Sequence, residues 1–138
     1  MRLAEIVFPH HCNHLGTLFG GQALAWMDKA AFLASSRYAH RTTVTACSER
    51  IDFKAPIRLG DTIEIVAALR RIGRTSLTVD VTLLREGPDD AAPVEATRGT
   101  FVMVAVDAAG KPVALPFAGR RQPAATGDLK RDTAPADT

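Results

Sequence analysis

Apolar and polar residues change rhythm twice along this chain. From Leu3 to Phe8 they alternate loosely, as in a strand, and Pro9 ends the run. Residues 10–19 are rich in His, Asn and Gly and read as a loop. From Gly20 to about Ala39 small and apolar residues predominate with no proline, which predicts a helix. Its polar edge is thin, being Gln22, Lys29, Ser36 and Arg37. A helix so apolar nearly all round needs cover on most sides. Around the only long helix of a short chain, that cover is expected to be a sheet.

After Arg41 the rhythm is that of strands. Thr42–Phe53 is rich in β-branched residues and runs into the turn-like segment Lys54–Gly60. In Asp61–Ile72, Ile63, Ile65, Ala67 and Leu69 share one face, while Thr62, Glu64, Ala68 and Arg70 fall largely on the other. Thr75–Arg85 alternates more cleanly, setting Leu77, Val79, Val81 and Leu83 against Thr78, Asp80 and Thr82. Gly73-Arg74 between these two runs predicts a hairpin. Val94–Val106 is a last strand, closed by the turn Asp107–Pro112. Strand, helix, then four strands in antiparallel succession predict an α+β domain, a curved antiparallel sheet packed on one central helix. That domain is expected over residues 1–117. Residues 118–138 have few apolar side chains and are expected to form a flexible tail.

Composition narrows the function. The 138 residues suit one domain with a real core. A net charge of +2, without a stripe of Lys and Arg, argues against nucleic acid as partner. The weakly polar run Ala30–Ser36 is too short to span a bilayer, and the N-terminus lacks a signal-peptide core, so no membrane partner is expected. Cys12 and Cys47 form neither a CxxC pair nor a disulfide framework, and the cytoplasm is the expected location.

Candidate chemistry gathers around Asp28. Its neighbours on one helix face are Leu24, Ala25, Ala31 and Phe32, none of which can pair with a charge, and Lys29 points about 100° away. An acid buried in such a stripe suits a general base or a nucleophile; a solvated helix carboxylate is the alternative. Gly20 and Gly21 open the helix, where unpaired N–H groups and the helix dipole favour a developing oxyanion, with the Gly21 N–H as donor. Asp28 lies about 10 Å further along the axis, a spacing that suggests a second subunit completes the site. Asn13 can orient water or polarise a carbonyl, or simply hold its loop in an Asx-turn. His10, His11, Cys12 and His14 lack the spaced pairs of a zinc site, so no metal is expected.

Four blocks in order resemble one family. Asn13-x-x-Gly16-x-x-Phe19-Gly20-Gly21 followed by Met27-Asp28 is similar to the hotdog-fold acyl-CoA thioesterases, nearest to the YciA-type and cytosolic acyl-CoA hydrolase branch. Asp52–Asp61, Gly73-Arg74-Thr75-Ser76 and the segment Val104–Pro116 resemble the same branch. The resemblance implies a hotdog fold and hydrolysis of acyl-CoA to a free acid and CoA, with no cofactor beyond the coenzyme A of the substrate. It implies a homodimer, often a trimer of dimers, hence a hexamer. Its active sites lie between subunits, an acid at the position of Asp28 facing an Asn at that of Asn13 from the partner, with Gly21 on the oxyanion side. Phe19 and Gly20 would meet substrate, and Arg74, Thr75 and Ser76 would meet the CoA phosphates, although an arginine-rich hairpin end is as readily a solvated one. A non-catalytic acyl-CoA-binding module on the same fold is the alternative. A hotdog dehydratase would use a His–Asp pair, and the helix carries no His before His40.

Overall fold

A computed structural model describes residues 1–116. The elements are β1 (Arg2–Ile6), a 3-10 turn (Pro9–His11), α1 (Gly20–Ala39), β2 (Thr43–Phe53), β3 (Thr62–Ile72), β4 (Ser76–Glu86) and β5 (Val94–Ala105). The helix spans the predicted residues, and each of β2 to β5 lies within one residue of its expected ends. β1 stops at Ile6 because Val7 leaves the ladder and is clamped by the turn before β3, its N–H donating to Asp61 O at 3.0 Å. The expected domain end at residue 117 and the tail at 118–138 lie outside the described residues.

The five strands form one antiparallel sheet in the order β1-β3-β4-β5-β2. Only β3, β4 and β5 follow one another as neighbours. β2 pairs with β5 on the far edge, which corrects the expectation of four strands in simple succession. Lys54–Asp61, with Pro56 in it, is too long for a tight hairpin and carries the chain from the β2 edge across β5 and β4 to the interior strand β3.

The alternating residues sort as their period demands. Ile63, Ile65 and Ala67 of β3, Val79, Val81 and Leu83 of β4, and Phe101 and Met103 of β5 are buried against α1. The helix meets them with Ala23, Trp26, Met27, Ala30, Ala31 and Ala34. Four of these six are alanines, which let the backbone lie close, and each large side chain fully buried there contributes roughly 1.5–3 kcal/mol. Gly99 of β5 is required by the same closeness: a Cβ there would stand 2.3 Å from Ile51 Cδ1 and 3.1 Å from Met27 Cε. Ser35 is also fully buried, its hydroxyl bonded to Ala31 O (2.7 Å) and Thr43 Oγ1 (2.7 Å). No helix among the described residues is long and apolar enough to cross a membrane.

Candidate active site

α1 begins without a side-chain cap and without an acid in its first turn. Phe19 O accepts from Gln22 N (3.0 Å) and Ala23 N (3.1 Å). Among the described residues the N–H groups of Gly20 and Gly21 have no acceptor, so the positive end of the helix stands open. A Cβ at Gly21 would meet nothing within 4 Å, whereas one at Gly20 would touch the Phe53 ring at 3.5 Å. Beside this end lies a cavity of about 390 Å³, walled by Thr17, Leu18, Gly20, Ala23, Phe53 and the crossover residues Lys54–Ile57, with Thr97 behind. Phe19 and Phe53 are more than half exposed next to it.

Asp28 is not buried. The expected stripe is present, but the helix turns Ala31 toward the sheet and leaves Ala25, Asp28 and Phe32 facing outward. Nothing among the described residues removes the carboxylate from water, which corrects the expectation of a buried acid. Its partner is Thr45 on β2, whose hydroxyl donates to Oδ1 at 2.5 Å. Thr45 was hidden in a strand that reads only as β-branched; nothing in its local pattern says that β2 passes beside the outer edge of α1.

Asn13 is an Asx-turn residue. Its Oδ1 accepts from Leu15 N (2.9 Å), Thr17 N (3.2 Å) and Thr17 Oγ1 (3.1 Å), and its main chain pairs with Thr17 O (2.9 Å) and Gly16 N (3.1 Å). Among the described residues its Nδ2 makes no hydrogen bond. The carbonyl end of the amide is therefore engaged and the donor end is available, so the structural and the chemical readings of Asn13 are compatible. Neither Asn13 nor Asp28 lines the cavity.

Arg74, Thr75 and Ser76 sit at the other end of the molecule. Arg74 O accepts from Leu115 N and Thr75 O from Ala105 N, both at 2.9 Å. The hairpin packs beside the C-terminal end of α1, where Ala39, Leu77, Ala105 and Leu115 form a small core of their own. Arg74 is exposed but Ser76 is buried. With a helix of twenty residues, about 30 Å, between this hairpin and the cavity, the two do not meet within one chain. Among the described residues no three His, Cys, Asp or Glu side chains gather as a metal site. His11 is occupied structurally, its Nδ1 accepting from Phe8 N (3.0 Å) and its ring lying edge-on to Trp26 at 5.0 Å.

The Thioesterase superfamily profile matches residues 15–92, from the Asn13 loop to the end of the β4–β5 turn. An acyl-CoA thioester hydrolase of Zymomonas mobilis is 33% identical over 80% of this chain and 74% of its own length. YciA, the acyl-CoA thioester hydrolase of Salmonella typhimurium, is 30% identical over 85% of this chain and 90% of its own. The hexameric thioesterase of Yersinia pestis superposes with a TM-score of 0.78 at 29% identity, over 83% of this chain and 93% of that one. An acyl-CoA hydrolase from Staphylococcus aureus, solved with butyryl-CoA and CoA, gives a TM-score of 0.79 at 29% identity over 89% and 75%. Single-alanine variants of that hydrolase have been made at an Asn, an Asp and a Thr. The Asp follows the Asn by fifteen residues and the Thr follows the Asp by seventeen, the spacings of Asn13, Asp28 and Thr45. The chain belongs to the thioesterase superfamily and shares the hotdog fold of its acyl-CoA thioester hydrolases.

Proposed function

We propose that this protein hydrolyses acyl-CoA thioesters at sites shared between two subunits, with Asp28 of one chain working opposite the partner subunit's Asn13. The observation that carries this reading is the exposure of Asp28 on an apolar helix face beside an unpaired strand edge. Among the described residues β2 has a neighbour on one side only; it is exposed over most of its eleven residues and leaves Val44 nearly half exposed. Such an edge invites pairing with another strand. A second copy of β2 is the natural occupant: it would continue the sheet and bring its own α1 alongside Ala25, Asp28 and Phe32. The hexameric relative from Yersinia supports self-association, and we extend it to a trimer of such dimers. Only a neighbouring chain could bring the hairpin Arg74-Thr75-Ser76 to CoA bound near Phe19 and Gly20.

In this arrangement the Gly21 N–H stabilises the oxyanion formed on the thioester carbonyl. Asp28, steadied by Thr45, takes a proton from water as that water attacks. As the tetrahedral intermediate collapses, the C–S bond breaks and the same proton passes from Asp28 to the departing sulfur, so CoA leaves as the thiol. Direct attack by Asp28 would pass instead through a mixed anhydride. Label found in the Asp28 side chain after a single turnover in ¹⁸O-water would establish the second route, with water opening the anhydride at the Asp28 carbonyl. No cofactor enters either route. Two free cysteines suit a reducing compartment, and we place the reaction in the cytoplasm.

Mixed oligomers test the shared site. Asp28→Ala and Asn13→Ala proteins, each inert alone, should regain hydrolysis when unfolded and refolded together, because one site per mixed dimer has both residues. Absence of recovery in verified mixed dimers rejects the shared site. Asp28→Ala that binds CoA but no longer hydrolyses would exclude a mere binding module; wild-type hydrolysis in that variant would sink the assignment.

A further inference from the structure

We propose that Thr17 is a positioning residue of this reaction, fixing the Asn13 amide so that its N–H₂ end, not its carbonyl, meets the substrate. The inference rests on the assignment of Asn13 to the active site. An amide can serve a thioester in two opposite ways: its oxygen can accept a proton from the attacking water, or its nitrogen can donate to the carbonyl that becomes the oxyanion. The hydrogen bonds of the loop choose between them. An amide oxygen has two lone pairs, and three donors already converge on Asn13 Oδ1, two backbone N–H groups and the Thr17 hydroxyl. No acceptor capacity remains for a water. Rotating the amide by 180° would turn its N–H₂ against both backbone N–H groups, so a single orientation survives.

Thr17 supplies two of the three donors, and its hydroxyl is the one that is not backbone. The residue also stands where it can couple the two parts of the site. Its backbone pairs with Arg58 on the crossover, and the residue helps wall the cavity at the open start of α1. Thr17 thus joins the loop that presents Asn13 to the wall along which an acyl-CoA would lie. The β-methyl fills space while the hydroxyl orients, a division of labour that valine and serine substitutions take apart.

Three substitutions decide it. Thr17→Val keeps the shape and both backbone bonds to Asn13 and removes only the hydroxyl; kcat should fall about tenfold with KM within about twofold, the loss of one orienting hydrogen bond. Thr17→Ser restores the hydroxyl and should return kcat to near the wild-type value. Asn13→Asp keeps the acceptor that the three loop donors need and replaces only the outward N–H₂ by oxygen; kcat should fall by about 10²–10³, the loss expected for an oxyanion donor. In parallel, the ¹⁵N–¹H signals of the Asn13 side-chain amide, identified by their loss in Asn13→Asp, report orientation without any turnover. They should be shifted or broadened in Thr17→Val and unchanged in Thr17→Ser. A Thr17→Val enzyme with wild-type kcat and an undisturbed amide signal overturns the proposal, as does an Asn13→Asp enzyme of wild-type activity. A wild-type protein inert toward every acyl-CoA from short to long, with the amide signals behaving as described, would instead overturn the hydrolase reading while leaving the orienting role of Thr17 in place.

Discussion

Two aspartates of this chain lie in opposite company. Asp90, in the turn between β4 and β5, is surrounded by donors: Arg85 Nε at 3.1 Å, Arg85 Nη2 at 3.3 Å and the Gly87 N–H at 2.7 Å. Arg85 in turn reaches Pro56 O at 2.6 Å and so ties this turn to the crossover beside the cavity. Among the described residues Asp28 has one hydroxyl and no cation. Asp80 is held by Arg70 and Thr100, Asp61 by the Arg58 N–H, and Asp107 by the N–H groups of Ala109 and Lys111. These four carboxylates are spent on turns and on the outer face of the sheet. Asp28 contributes little to holding its own chain together, as the chemical role we propose for it requires.

The largest consequence is a crossed pair of phenotypes. Replacing Asp28 by Ala should lower kcat/KM by about 10²–10⁴, the range for loss of a general base, and leave the melting temperature essentially unmoved. Replacing Asp90 should do the reverse, lowering stability with hydrolysis intact below the melting transition. Steady-state kinetics beside thermal unfolding of both variants checks this. If Asp28→Ala melted well below the wild type while Asp90→Ala did not, the division between the two acids would be wrong.

A sharper test bears on the one bond that Asp28 does make. Thr45→Val removes the hydroxyl at constant shape and should lower kcat about tenfold through lost orientation, with Thr45→Ser close to the wild type. Thr45 lies beside a register shift in β2, between Thr45 and Cys47, so the strand is already irregular there. A Thr45→Val enzyme with unchanged kcat would show that Asp28 needs no steadying.

Most of the fold was legible in the sequence because its causes are local. The period-2 alternation of Ile63 to Leu69 and of Leu77 to Leu83 selects both the strands and their inner faces. The proline-free run from Gly20 to Ala39 selects the helix. Strand order was not legible: nothing in Thr43–Phe53 says whether it pairs with β3 or with β5, since that depends on where the chain crosses. The acid of the candidate site was legible as an anomaly, an Asp among apolar neighbours. Its surroundings were read wrongly because an apolar helix face looks the same in sequence whether its own sheet covers it or leaves it open. Thr45, seventeen residues away, comes close only through the tertiary path of β2, and no local pattern signals that.

The smallest effect concerns pH and separates the two acids by their electrostatics. Arg85's hydrogen bonds to the Asp90 carboxylate, followed by that from the Gly87 N–H, outweigh the opposing effect of burial and hold its pKa below the ordinary carboxylate value. A group whose pKa is lower folded than unfolded stabilises the fold above its unfolded pKa, about 3.9 for Asp, and loses that contribution as pH falls through the folded value. Asp90→Asn removes the charge at nearly constant shape. Wild type and variant should therefore differ in denaturation midpoint at neutral pH, and the gap should close only as the pH drops below about 4, where the wild-type carboxylate also becomes neutral. Urea unfolding at a series of pH values measures the gap directly. A gap that stayed constant down to the acid limit would mean that the substituted amide packs worse for reasons of shape, and that Arg85 draws its order from Pro56 rather than from the charge of Asp90.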